Sequence, residues 1–157
     1  MERIWVYQAS RELGVEEEQY VASKLEAFTA QWKVHGKPLA ASVAIRYHRF
    51  VIIAVDQSVA MPSGCSIDKS VHLLKELEQE LQVEFFDRMQ MAYRDEQGIV
   101  AVSRQVFERL IEEGKIDTDT IVFNNLVSSR EELETKWEVP FKESWHAKVF
   151  QMPNRIR

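Results

Sequence analysis

Cysteine occurs once in this 157-residue chain, so no disulfide can form within it. Glycine and proline are scarce, at five and four residues, and no linker, repeat or low-complexity segment divides the sequence. Long apolar runs are missing: the longest, residues 50–55, is far too short to cross a bilayer. The opening Met1-Glu2-Arg3-Ile4 has no apolar signal core. Nor is there a basic excess. Twenty Lys and Arg against 25 Asp and Glu leave a net charge of −5, so no global positive field draws in nucleic acid or anionic lipid. The expectation is a cytoplasmic protein of bacterial type, with no membrane contact and no cofactor, folded as a single domain over residues 1–157.

What is present suits a folded chain. Hydrophobic residues make up 45% and charged residues 29%, enough for a sizeable core at this length. Ile4-Trp5-Val6-Tyr7 reads as a first strand, being β-branched and aromatic. Glu16-Glu17-Glu18 puts carboxylates in a first helical turn, and Val21, Leu25, Phe28 and Trp32 follow as one apolar stripe. Gly36 and Pro38 are expected to end that helix. Residues 41–47 alternate in polarity, whereas residues 50–55 are apolar throughout and predict a central strand covered on both faces. His48-Arg49 lacks ordinary turn chemistry, yet strands this close must form a hairpin.

A second helix is expected over residues 67–83, with Ile67, Val71, Leu74, Leu81 and Phe85 as its buried stripe. Asp95-Glu96-Gln97-Gly98 joins a second hairpin. Ser103 and Gly114 bracket a third helix, residues 121–123 form a last strand, and Ser129 and Glu132 have capping-box spacing for a fourth helix. Residues 138–157 read as an irregular, aromatic C-terminal segment. This order predicts an α+β fold: a mixed, mostly antiparallel sheet with helices packed on one side, beginning as a ferredoxin-like βαββαβ unit.

Ser63-Gly64-Cys65-Ser66-Ile67-Asp68 is the stretch with the most chemistry. A thiol at a helix N-terminus sits where N–H groups and the helix dipole favour a thiolate. Ser63 or Ser66 can cap the helix, and Gly64 allows a tight turn. At 100° per residue, Cys65, Asp68 and His72 share the face opposite the core. They form no triad, because residues seven apart are about 10.5 Å apart along a helix. A base for Cys65 must come from His35, His48 or His146.

Other groups carry weaker signals. Lys33, Lys37, Arg46 and Arg49 lie near Trp32, His35 and Tyr47, a pattern seen where aromatic stacking and phosphate contact combine. Overall charge argues against nucleic acid as the partner. Asn124-Asn125 ends the last strand, where amides either satisfy a turn or orient a ligand. Trp145, His146 and Phe150 suit packing of the C-terminus. No metal site is expected, since no two of His35, His48, His72, His146 and Cys65 have close ligand spacing.

Trp32-x-x-His35-Gly36, the Ser63–Asp68 stretch and Ser144-Trp145-His146 together resemble a family of small uncharacterised bacterial proteins, some of them labelled ABC-transporter ATPase. That label implies a phosphate-cradling Gly-x-x-x-x-Gly-Lys-Ser/Thr loop, which this sequence does not contain. The resemblance therefore carries over no catalytic residue.

The function expected from sequence is non-enzymatic binding of a partner or small anionic ligand. The expected site joins Ser63, Gly64, Cys65, Ser66 and Asp68 to His35 and Lys37. A thiol enzyme or redox protein using Cys65 is the first alternative. Nucleic-acid binding through Lys33, Lys37, Arg46 and Arg49 is the second.

Overall fold

The first strand, β1 (Glu2–Gln8), leads into helix α1 (Val15–Gln31). A computed structural model describes residues 1–153 and shows why α1 starts where it does. The Gly14 N–H donates to Glu17 Oε1 at 2.9 Å, and Arg11 clasps the same carboxylate through two 2.8 Å bonds. With Arg11 and Gly14 both donating to it, Glu17 has its pKa lowered to about 2. Val21, Leu25 and Trp32 are buried and Phe28 packs against them, as the stripe predicts.

Gly36 and Pro38 do more than end this helix. Residues 32–39 fold into a small hairpin of β2 (Lys33–Val34) and β3 (Lys37–Pro38). His35 (φ 48°) and Gly36 (φ 79°) form its two-residue turn, whose left-handed backbone explains the glycine.

Strands β4 (Ala41–Arg46) and β5 (Phe50–Asp56) follow. The sheet order is β1-β5-β4, with both neighbours antiparallel to β5. Thus β1 and β4 run parallel with β5 between them, the split βαβ opening of a ferredoxin-like unit. β5 is central and buried along residues 50–55, as its apolar run predicts. Tyr47 (φ 57°) and His48 (φ 56°) make the β4–β5 turn without glycine.

Helix α2 (Gly64–Leu81) then packs beside α1. Its core face differs from the expected stripe. Ser66, Ser70, Leu74 and Leu77 are the buried residues, whereas Ile67, Val71 and Leu81 are half-buried. Two serines fit the core because each hydroxyl donates within the helix turn, Ser66 Oγ to the Ser63 carbonyl (2.8 Å) and Ser70 Oγ to the Ile67 carbonyl (2.6 Å). Phe85 lies beyond the helix, which stops at Gln82 in the left-handed conformation (φ 54°).

From here the chain leaves the first sheet. β6 (Gln90–Asp95), β7 (Gly98–Ser103), β8 (Ile121–Phe123) and β9 (Glu138–Pro140) form a four-stranded sheet in the order β7-β6-β8-β9. Every strand pair is antiparallel, and the strands fall into separate sheets where a single one was expected. Alternation along β5 accounts for the division. Val51, Ile53 and Val55 pack under α1 and α2, while Phe50, Ile52 and Ala54 face Ala92 and Phe123 of the second sheet. The far side of the second sheet (Met91, Tyr93, Val122) packs on α3 (Arg104–Glu112) through Phe107 and Ile111.

Helix α4 (Arg130–Lys136) connects β8 to β9, with the Ser129 hydroxyl accepting from the Glu132 N–H as expected. The Glu132 carboxylate reaches Ser128 N at 2.9 Å. The C-terminal segment is not irregular. It contains β9, a 3-10 turn (Phe141–Glu143) and the short helix α5 (His146–Val149); positions 154–157 lie outside the described residues. No described helix is long and apolar enough to cross a membrane.

Candidate functional site

β1 is an edge strand, and its outer edge borders a cleft. Near one end the Ile4 N–H donates to the Ser128 carbonyl (2.9 Å). At the other, the Ser10 N–H donates to the Glu84 carbonyl (2.8 Å), and the Glu84 N–H returns to Ser10 Oγ (2.9 Å). Between these anchors a cavity of about 320 Å³ opens toward residues 85–92, 123–128 and Trp145–His146. Its volume is at the small end of the range for ligand pockets, roughly 300–1,000 Å³.

Gln8 lines this cavity and is only 8% exposed. A chain of hydrogen bonds fixes which way its amide points. The Trp137 indole N–H, which can only donate, bonds Asn125 Oδ1 at 2.9 Å. Asn125 must then offer its NH₂ to Gln8 Oε1, at 2.8 Å. Gln8 Nε2 is left as a buried donor with no acceptor among the described residues. Trp137 is itself fixed by Phe50 edge-on (5.0 Å), by Phe123 (5.3 Å) and by the stacked Tyr47 ring (5.8 Å).

Trp145 supplies a second donor. Its ring stacks on His146 at 3.9 Å, and its buried Nε1 also lacks an acceptor among the described residues. His146 is 1% exposed, bonds Ser144 Oγ through Nδ1 at 2.7 Å, and has its pKa pushed down to about 4 by burial. It is therefore a neutral ring at ordinary pH. Arg3, Arg88 and Asp87 complete the charges of the lining. Burial raises the Tyr7 hydroxyl pKa while Arg88 and Arg3 pull it down, so both guanidiniums act on the cleft. The Asp87 carboxylate accepts from the Met89 N–H (2.9 Å). The cleft thus offers unsatisfied donors and a positive rim, a combination that suits an acceptor or anion.

The residues singled out from sequence lie elsewhere. Ser63 caps α2, accepting from Ser66 N at 3.1 Å, and its own N–H donates to Ser66 Oγ at 2.7 Å. Gly64 has no left-handed φ, and a Cβ there would meet nothing within 4 Å, so the turn does not require glycine. Cys65 and Asp68 are exposed and Ser66 is buried. One bond does join the two predicted segments: Trp32 Nε1 donates to the Ser66 carbonyl at 2.8 Å. His35 and Lys37 stand exposed on the neighbouring hairpin.

Of the imidazoles considered as bases for Cys65, His48 Nδ1 meets Glu18 Oε2 at 2.7 Å and His146 Nδ1 meets Ser144 Oγ at 2.7 Å, while His35 stands exposed in the β2–β3 turn. Of the basic set, Lys33 and Lys37 are exposed, Arg46 lies over the Trp137 ring (5.6 Å), and Arg49 is buried at 9% exposure. Arg49 therefore adds nothing to an exposed basic face. No group of three or more potential metal ligands occurs among the described residues.

The sequence drew notice to Asn125 as a turn or ligand-orienting amide and to Trp145 and His146 chiefly as packing groups, placed none of them in the expected site, and gave no notice to Gln8. A signal existed: Ile4, Val6 and Gln8 share one face of β1 by two-residue alternation, and Gln8 is the polar member. Comparison of the chain with protein-family models, curated proteins and solved structures finds no match.

Proposed function

We propose that this protein is a non-enzymatic, cytoplasmic binding domain whose ligand sets an anionic or other hydrogen-bond-accepting group into the cleft beside β1. One observation carries the reading. Gln8 Nε2 is a buried donor without an acceptor among the described residues, held in that orientation by Asn125 and Trp137. A buried donor left unpaired costs about 1–3 kcal/mol, which a ligand oxygen would recover. Trp145 Nε1 and the guanidiniums of Arg3 and Arg88 support the same ligand chemistry.

The start of α2 is the competing location. Its exposed Gly64 and Cys65 lie at the positive end of a helix dipole, but Ser63 and Ser66 already satisfy each other there. Thermal unfolding with millimolar acetate, succinate or phosphate separates the two. At least one of these anions should raise the midpoint of the native protein, and Gln8→Leu should abolish the rise while Gly64→Ala and Lys37→Ala retain it. A rise that survives Gln8→Leu, or no rise with any anion, overturns the proposal.

A further inference from the structure

We infer that the ligand of this cleft is a short extended peptide that pairs with the outer edge of β1 at Val6 and Gln8. This rests on the binding function proposed above and names its ligand class.

Main-chain geometry carries the argument. In a strand the N–H and C=O of one residue point to the same side, and those of the next to the opposite side. The Ile4 N–H points away from β5 to Ser128, so Val6 and Gln8 present their N–H and C=O groups along that same edge. Ser10 continues the series and is claimed by Glu84. Val6 and Gln8 are the interval between the two anchors, about 7 Å apart at roughly 3.3 Å per residue. A small anion would satisfy Gln8 Nε2 yet leave untouched the outward Val6 N–H and C=O, which meet no other backbone group among the described residues. An extended tripeptide presents acceptors and donors at the matching two-residue repeat, the strand-addition mode of peptide recognition.

The side chains select among peptides. Val6 packs with the cluster between the two sheets, and Gln8 bonds Asn125 there, so a strand added to β1 would direct alternate side chains toward Gln8. The donors on Gln8 and Trp145, unpaired among the described residues, favour an acidic side chain at that position, while Arg3, which lies over Trp5, and Arg88, which acts on Tyr7, belong to the other face of β1. Both ends of the slot are closed by main-chain bonds, which limits pairing to about three residues.

Isothermal titration with N-acetyl-Val-Glu-Val-amide tests this against two controls: the same peptide N-methylated at all three residues, and glutarate. The parent peptide should bind, and both controls should bind at least tenfold more weakly. Val6→Pro should weaken the parent peptide at least tenfold, because it deletes an N–H that faces away from β5, where a sheet edge accepts proline. If Val6→Pro does not fold, the N-methylated peptide decides the matter without a variant. Equal binding of the parent and N-methylated peptides, or of glutarate and the parent, overturns the peptide reading while leaving the anion site intact. Failure of the parent peptide to bind a protein that still shows the Gln8-dependent anion effect overturns this inference alone.

Discussion

The indole N–H of Trp137 donates to Asn125 Oδ1 at 2.9 Å, and this bond decides which end of the Gln8 amide faces the cleft. An amide side chain can present oxygen or nitrogen with equal ease. Here a donor that cannot reverse stands at the head of the chain, so each following amide has one allowed orientation.

Trp137→Phe should therefore do two things. Loss of the N–H leaves Asn125 Oδ1 unpaired and should lower unfolding free energy by about 1–3 kcal/mol. The side-chain NH₂ signals of Asn125 and Gln8 should also change from one sharp set each to exchange-broadened ones in NMR spectra. Unaltered NH₂ signals in a folded variant would show that something other than Trp137 orients the amides.

His146 gives the protein an acid sensitivity with a defined window. Its folded pKa is about 4 against an ordinary 6.5, so below pH 6.5 the unfolded chain takes up a proton that the folded one refuses. Stability is full above pH 6.5, falls as pH drops toward 4, and levels off below. With a shift of roughly 2.5 units the total loss is about 3 kcal/mol. The Arg11–Glu17 pair acts lower, as pH falls from 4.5 toward 2, so the two effects separate. Urea unfolding at pH 7, 5.5 and 4.5 should show the decline, and His146→Gln should flatten it.

The start of α2 should behave as a structural cap. Ser63→Ala removes the acceptor of the Ser66 N–H and should cost about 1 kcal/mol. Exposed Cys65 has no such task, so Cys65→Ser should change stability by less than about 0.5 kcal/mol. Chemical denaturation of the two variants checks both values. A larger effect at Cys65 would mean that its thiol has a structural partner.

Much of the fold was legible because its causes are local. The carboxylates in the first turn of α1, the Val21–Leu25 stripe, the continuous apolar run of β5 and the Ser103 and Ser129 caps each act within one element. What escaped depends on distant neighbours. Ser66 and Ser70 read as polar, yet their hydroxyls are satisfied inside the helix and can be buried. The departure of β6 from the first sheet follows from the aromatic pairing of Phe50 with Phe123 and Trp137, more than 70 positions away. Gln8 and Asn125 meet across 117 residues, so no spacing rule could join them. The thiol drew notice because it is alone, and solitude is a property of composition that says nothing about surroundings.

The β4–β5 turn has a consequence for binding. Tyr47 and His48 hold left-handed backbone without glycine, and their side chains compensate by fastening the turn to both neighbours: Tyr47 Oη donates to Glu138 Oε2 at 2.5 Å and His48 bonds Glu18 of α1. The Tyr47 ring covers Trp137, which in turn immobilises Asn125 and Gln8. Ordering a flexible side chain on association ordinarily costs about 0.5–1.5 kcal/mol of entropy. For Gln8 that entropy is surrendered when the chain folds, so a ligand arriving at the cleft meets a donor already still.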